Sequence, residues 1–130
     1  LEIAGQTIDL SAVKSSTYIV SAKNDHIVPW QSAYKTTGLV SGPTRFILSN
    51  GGHIAGIVNP PGPKAWYLSS DDYPANAEDW ASTADRTAQS WWVDWAEWAG
   101  EQAGPMVEPP PMGSDKYPVI GDGPGEYVFS

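Results

Sequence analysis

The chain has 130 residues, 41% hydrophobic and 17% charged, a composition typical of a globular domain or part of one. Its net charge is −8, and its 7 basic residues are scattered along the chain, which argues against a nucleic-acid-binding surface. The sequence shows no export signal and no apolar run near the ~20 residues that a membrane span requires. Cysteine is absent, which excludes disulfides and a cysteine nucleophile within these residues and is compatible with a cytoplasmic location.

The first half of the chain predicts a strand–helix–strand unit. Residues 17–22 form a β-branched and aromatic run that is typical of a buried strand. Pro29 favours a helix start, and apolar residues then recur at helical spacing until Gly42-Pro43. Residues 45–49 predict a second strand, which leads into a glycine-containing loop.

Asp25 and His53 follow these two predicted strands. The carboxyl ends of parallel strands line the ligand crevice of an α/β sheet, and a right-handed crossover brings both ends to one edge. A carboxylate that accepts from one imidazole nitrogen orients the ring and stabilises the imidazolium. Asp25 and His53 are therefore the candidate catalytic pair. The alternative is that Asp25 caps a helix while His53 is an ordinary loop residue.

The second half is richer in proline, glycine and tryptophan. Asn76 is placed to cap a short helix that extends through Trp80. A longer helix is predicted for residues 87–102, with Trp91, Trp95 and Trp98 on one stripe, and Gly104-Pro105 ends it. We expect the three rings to be buried and Asp94 and Glu97 to face solvent. Three aromatic residues are expected to hold the extended tail that follows: Tyr117, Tyr127 and Phe129.

No nucleophile is evident. The glycine-flanked elbow that carries the serine or cysteine of α/β-hydrolases is absent, although the order of acid before histidine agrees with those enzymes. Ser49 lies near His53 in sequence, but it sits at a strand end without the flanking glycine pattern. The third member of a triad is therefore expected upstream of Leu1.

Four segments resemble the polyhydroxyalkanoate synthase family, in the order in which the family has them. They are Asp25-His-Ile-Val-Pro-Trp30, Gly52-His-Ile-Ala-Gly-Ile-Val-Asn-Pro-Pro61, Ser90-Trp-Trp-Val-Asp-Trp-Ala-Glu-Trp98 and Pro124-Gly-Glu-Tyr-Val128. The resemblance runs from Leu1 to the end of the chain. Departures from the family pattern are Ser16, Asn24, Gly51 and Ala99. None of them affects the acid or the histidine, so they bear on the substrate class.

The resemblance implies an α/β fold, namely the C-terminal portion of an α/β-hydrolase fold in which a crossover helix joins parallel strands. Residues 1–104 would complete the catalytic domain with Trp-rich helices, and residues 105–130 would form a Pro- and Gly-rich tail. The intact enzyme would polymerise (R)-3-hydroxyacyl-coenzyme A with release of coenzyme A. Asp25 and His53 match the catalytic aspartate and histidine of the family, and the nucleophile would be an upstream cysteine.

The resemblance also implies the partners. The coenzyme A thioester is the substrate, so no cofactor and no metal are expected. The growing polyester, the cytoplasmic granule surface and a second copy of the intact enzyme are the expected partners. This segment alone is expected to be inactive.

Other readings remain at this point. His26 would fix the loop by hydrogen bonding or support the crevice. The tryptophan stripe would pack on the sheet or offer an apolar surface to polyester or a partner. The chain could instead be part of an esterase of the same fold, or a non-catalytic module that binds hydrophobic granules.

Overall fold

The computed structural model describes residues 2–130 and has a four-stranded sheet as its central element. The strands are β1 Glu2–Ile3, β2 Gln6–Thr7, β3 Thr17–Ala22, β4 Thr44–Ser49, β5 Tyr67–Ser69 and β6 Asp85–Thr87. The helices are α1 Trp30–Tyr34, α2 Ala55–Val58, α3 Ala77–Thr83 and α4 Trp91–Ala103. Short 3₁₀ turns occupy Leu10–Ala12, Lys35–Gly38 and Tyr127–Phe129.

The predicted strand–helix–strand unit is present. β3 and β4 are parallel, with Ala22 opposite Ser49 at their carboxyl ends, and α1 lies in the connection between them. The expectation of a parallel sheet is nevertheless wrong for the other half. β5 runs antiparallel to β4, and β6 antiparallel to β5, so the sheet is mixed, in the order β3-β4-β5-β6. The strands β1 and β2 form a separate antiparallel hairpin.

The core on one face of the sheet is aromatic. Tyr34 of α1 packs edge-on against Phe46 of β4, with ring centroids 5.2 Å apart, and Phe46 packs edge-on against Trp80 of α3 at 5.0 Å. Such rings bury 150–250 Å² each and dominate core energetics. Asn76 caps α3 as predicted, since its side chain accepts from the backbone N–H groups of Glu78 and Asp79.

Helix α4 lies on the opposite face of the sheet. Side chains alternate along β4, so Arg45 points away from the side that Phe46 occupies, and Arg45 bonds Asp94 of α4 there. The helix begins at Trp91, later than predicted, because residues 85–87 form β6 and Ser90 provides the cap. Trp91 and Trp98 are half-buried and pack on Tyr18, with ring centroids 6.5 and 5.2 Å apart.

The predicted burial of the tryptophan stripe is partly wrong. Trp95 is 47% exposed, whereas Asp94, expected in solvent, is 8% exposed. The Asp94 carboxylate accepts hydrogen bonds from Tyr18 (2.7 Å), from Tyr67 (3.3 Å) and from both Nε (2.7 Å) and a terminal nitrogen of Arg45. Four donors from three strands therefore turn Asp94 toward the sheet and rotate Trp95 away. Glu97 is exposed, as predicted.

The segment after α4 is largely exposed. The helix ends at Ala103 with Gly104 at a φ of 76°, which confirms the predicted stop. The three aromatic residues expected to hold the tail do not do so within residues 2–130, since Tyr117 is 68%, Tyr127 75% and Phe129 87% exposed. In the same described part of the chain, every helix is too short or too polar to cross a membrane.

Candidate active site

The loop after β3 is organised by Asp25. One carboxylate oxygen, Oδ1, accepts from the backbone N–H groups of Ile27 and Val28, both at 2.9 Å. The Asp25 side chain is only 6% exposed. Asp25 thus closes a turn of its own loop and does not cap a helix, since α1 has Pro29 at its N-cap and no side-chain cap, and the second oxygen, Oδ2, is directed elsewhere.

That second oxygen meets His53. The distance from Asp25 Oδ2 to His53 Nδ1 is 2.9 Å, within the range expected for a hydrogen bond. The contact joins residues 28 positions apart, because β3 and β4 end side by side and each loop leaves at the same edge of the sheet. The alternative, in which Asp25 caps a helix and His53 is an ordinary loop residue, is therefore wrong.

The electrostatics keep the carboxylate charged. The hydrogen bonds from Val28, from His53 and from Ile27 lower the pKa of Asp25 to about 2, although partial burial acts in the opposite direction. An ionised Asp25 can only accept, so the His53 Nδ1 must carry a proton in this contact. The other ring nitrogen, Nε2, has no protein hydrogen-bond partner among residues 2–130, and the His53 side chain is 42% exposed.

Two glycines allow the histidine loop to sit this close to β3. Gly51 has a φ of +106°, and a Cβ there would lie 2.9 Å from the backbone nitrogen of Gly56. A Cβ on Gly56 would overlap the Cβ of Ala22, the last residue of β3. Glycine is therefore required at both positions for the observed packing. The sequence indicated a glycine-containing loop here, but it did not show why Gly56 is needed, because its neighbour Ala22 lies in β3.

Hydrogen bonds close the same loop at its base. Asn59 Nδ2 donates to Ser49 Oγ at 2.6 Å, and the Asn59 carbonyl accepts from Ser90 Oγ at 2.6 Å. Asn50 Oδ1 accepts from the backbone N–H of Trp66 at 2.9 Å. Sequence reasoning did not single out Asn59 or Asn50. The available signals were that Asn59 lies in the segment 52–61 that resembles the family and that it precedes a proline pair.

The remaining candidates lie apart from the pair. His26 is exposed, and its side chain makes no hydrogen bond within residues 2–130, so it does not fix the loop as expected; the Asp25 carboxylate does. Ser49 is fully buried and accepts from Asn59, which leaves it in a structural position. No group of three or more metal-binding side chains occurs in the described chain.

The site also carries positive charge. Lys23 directly follows β3, and its Nζ lies 5.4 Å from the ring centroid of Trp66, which directly precedes β5. The guanidinium of Arg86 lies 4.4 Å from the same centroid. Ser49 pairs with Tyr67, so Trp66 lies at the edge of the sheet from which the Asp25 and His53 loops leave. The sequence had given no indication of a cationic group here.

No family model matches the chain. Curated relatives do. Poly(3-hydroxyalkanoate) polymerase 2 of Ectopseudomonas oleovorans is 41% identical over 132 residues, which cover 100% of this chain and 24% of the relative. Poly(3-hydroxyalkanoate) polymerase 1 of the same organism is 43% identical over 98% of this chain and 23% of the relative. Over its whole length the chain matches one segment of the poly(3-hydroxyalkanoate) polymerases.

The likeness extends to other bacteria. The poly(3-hydroxyalkanoate) polymerase subunit PhaC of Cupriavidus necator is 38% identical over 98% of this chain and 22% of the relative. The chain thus spans about a quarter of the length of the curated relatives it matches. The family resemblance noted from four sequence motifs is confirmed, and it covers one segment of those polymerases.

Proposed function

We propose that this chain supplies the aspartate and histidine of a Cys-His-Asp triad in a polymerase that converts (R)-3-hydroxyacyl-coenzyme A into polyester and releases coenzyme A. The 2.9 Å contact between Asp25 Oδ2 and His53 Nδ1, at the end of two parallel strands, carries the proposal. The kinship with poly(3-hydroxyalkanoate) polymerases supports the substrate class.

The protonation of the His53 ring in its contact with Asp25 suits a general base. With Nδ1 donating to Asp25, the neutral imidazole of His53 keeps a lone pair on Nε2. That nitrogen takes the proton of an upstream thiol, and the thiolate attacks the carbonyl carbon of the thioester. The tetrahedral intermediate collapses, the carbon–sulfur bond to coenzyme A breaks, and the acyl group stays on the enzyme sulfur. The proton on Nε2 is returned to the departing coenzyme A thiolate.

The second half of the cycle lengthens the chain. The acyl group on the enzyme is attacked by a hydroxyl of a monomer or of the growing polyester, and His53 Nε2 accepts the hydroxyl proton. An ester bond forms as the carbon–sulfur bond to the enzyme breaks, and the proton on Nε2 passes to the departing enzyme thiolate, which restores the thiol and the neutral imidazole. Asp25 stays ionised throughout and stabilises the imidazolium at each step.

The nearby cations suit the substrate as well. Coenzyme A carries several phosphate charges, and Lys23 and Arg86 gather beside Trp66 at the same sheet edge. We assign them to substrate binding, so Arg86→Ala is expected to raise the KM for the thioester and leave kcat within about threefold, as for loss of uniform binding. An unchanged KM would remove Arg86 from the binding surface.

The decisive experiment uses the intact polymerase that contains this chain, with coenzyme A release from 3-hydroxybutyryl-coenzyme A as the assay. His53→Ala is expected to lower turnover by about 10³-fold or more, because the base is gone. Asp25→Asn is a sharper probe. Asparagine keeps an oxygen to accept from Ile27 and Val28, but its amide group would donate to His53 Nδ1 and impose the wrong tautomer.

The matched control is the other histidine. His26→Ala is expected to keep turnover within about threefold, because His26 makes no hydrogen bond in the described residues. Near-normal turnover of the His53→Ala enzyme would overturn the triad assignment. Rapid release by this 130-residue segment alone would overturn the assignment of the nucleophile to an upstream residue.

A second function, association with the polyester granule, is favoured by one surface of α4. Trp92 is 43% and Trp95 47% exposed, and with Trp91 and Ala96 they line an open apolar cavity of about 430 Å³. Exposed aromatic patches mark interaction sites. The double variant Trp92→Ser/Trp95→Ser is expected to release the intact enzyme from sedimenting granules while keeping turnover of soluble thioester. Equal sedimentation of variant and parent would exclude this surface from granule binding.

A further inference from the structure

Asn59 ends the loop that carries His53, and its backbone is unusual. It is the residue after α2, with φ 24° and ψ 61°, and it is 7% exposed. A positive φ is uncommon for a residue other than glycine, and asparagine adopts it more readily than most. The residue therefore gives the chain a sharp turn and places its side chain under the loop, where solvent cannot satisfy the amide.

The Asn59 side chain joins the two ends of the loop. Its Nδ2 donates to Ser49 Oγ at 2.6 Å and to Asn50 Oδ1 at 3.2 Å, and both of these residues lie at the loop's beginning. A single amide thereby closes a segment of which His53 is part. Because Ser49 is the last residue of β4 and fully buried, the closing contact is anchored in the sheet.

The Asn59 backbone adds a second anchor. Its carbonyl accepts from Ser90 Oγ at 2.6 Å, and Ser90 is 1% exposed and caps α4. Its N–H donates to the Ala55 carbonyl at 2.9 Å, which completes the turn of helix that begins just after His53. Asn59 thus bonds β4, α2 and the start of α4 at once.

We propose that Asn59 is a positioning residue for His53: it holds the histidine loop closed so that the imidazole stays within hydrogen-bonding distance of Asp25. Asn59 acts through the loop and touches no reacting atom. The inference rests on the proposed role of His53 as the base. A displacement on the order of 1 Å at a catalytic group can reduce the rate about 10²-fold.

The test replaces Asn59 by glycine in the intact polymerase. Asn59→Gly removes the amide but keeps a residue that adopts positive φ without strain, so backbone conformation is not the variable. With coenzyme A release from 3-hydroxybutyryl-coenzyme A, kcat is expected to fall about 10- to 100-fold, while KM changes less than about twofold. This split is expected because the substrate contacts remain and only the base moves.

The control for general destabilisation is Tyr18→Phe. It removes one part-buried hydrogen bond, to Asp94, at the amino end of β3, away from the Asp25 loop. Thermal melting of both variants shows how much stability each loses. The control is expected to keep kcat within about twofold despite its lower Tm. An Asn59→Gly enzyme whose loss of kcat is no greater than that of Tyr18→Phe would overturn the inference.

Epistasis separates this inference from the triad assignment. In a His53→Ala background, Asn59→Gly is expected to leave the residual rate unchanged, because there is no base left to position. A further loss there would show that Asn59 acts on something other than His53 and would overturn the inference. If His53→Ala itself keeps normal turnover, the proposed function fails. If His53→Ala is inactive and Asn59→Gly retains full kcat, only the role of Asn59 fails.

Discussion

Replacing Asp94 by alanine tests what holds α4 to the sheet. The carboxylate accepts from Tyr18 of β3, Arg45 of β4 and Tyr67 of β5, so one side chain ties the helix to three neighbouring strands. Burial acts to raise the pKa of Asp94, but the bonds from Arg45, Tyr18 and Tyr67 prevail and lower it. The group is therefore an ionised acceptor near neutral pH, and alanine leaves the two tyrosines without this acceptor and Arg45 with only the exposed Asp71 carboxylate, 3.7 Å away.

The expected loss follows from the geometry. Removing one member of a buried ion pair typically costs roughly 3–5 kcal/mol of unfolding free energy, mainly because the other charge is left unpaired. The Arg45 side chain is 32% exposed, so water can partly solvate its guanidinium. We therefore expect the lower end, about 3 kcal/mol for Asp94→Ala. If the domain that contains this chain unfolds as a cooperative unit of about 150–250 residues, for which 1 kcal/mol corresponds to about 2–4 °C, its midpoint Tm should fall by roughly 6–12 °C.

Thermal unfolding of the intact polymerase, followed by tryptophan fluorescence, measures the effect. Glu97→Ala is the matched control, since Glu97 is an exposed carboxylate of the same helix and its loss should change stability by less than about 0.5 kcal/mol. The double variant Arg45→Met/Asp94→Leu should recover much of the loss, because it leaves no unpaired charge. Equal Tm values for Asp94→Ala and Glu97→Ala would refute the reasoning.

Two further predictions concern the loops that carry the candidate pair. Gly56→Ala should lower turnover about 10- to 100-fold, because the added methyl overlaps the buried Ala22 and displaces the His53 loop. Gly52→Ala is the control, and its turnover should stay near normal because its methyl would lie 3.6 Å from the nearest atom. Asp25 should make stability sensitive to acid: its folded pKa of about 2 lies below the usual value near 3.9, so its stabilising contribution is complete above about pH 4 and is lost as pH falls through 2. Between pH 4 and 2 the unfolding free energy should therefore fall less steeply with decreasing pH in Asp25→Asn than in the parent protein. Identical pH dependences for the two proteins would contradict this.

The placement of the candidate pair could be predicted from the sequence because local patterns determined it. The β-branched run of β3, the apolar run of β4 and the proline before α1 all act within a few residues of the structure they specify. Once two parallel strands were expected, the handedness of the crossover placed Asp25 and His53 at one edge. The Asn76 cap and the Gly104 stop were local signals of the same kind.

The errors have a common origin in contacts between distant residues. β5 and β6 have three residues each, too few for a periodic pattern, and they exist because they pair in the sheet. Their antiparallel direction was not evident from the chain order either, because a helix precedes each of them, as it would in a parallel strand–helix–strand unit. The tail aromatics were expected to pack, but the residues described here offer them no surface.

The orientation of α4 shows most clearly what only the tertiary structure decided. Its sequence places Trp91, Trp95 and Trp98 on one stripe, and hydrophobicity alone would bury all three. The helix is instead rotated so that Trp91, Asp94 and Trp98 face the sheet. This orientation is favoured because Arg45, Tyr18 and Tyr67 donate hydrogen bonds to Asp94 there. Leaving the half-buried Arg45 guanidinium and two tyrosine hydroxyls without this acceptor costs more than exposing one indole. The period of the helix was local information, whereas the choice of its inner face depended on charges that other strands contribute.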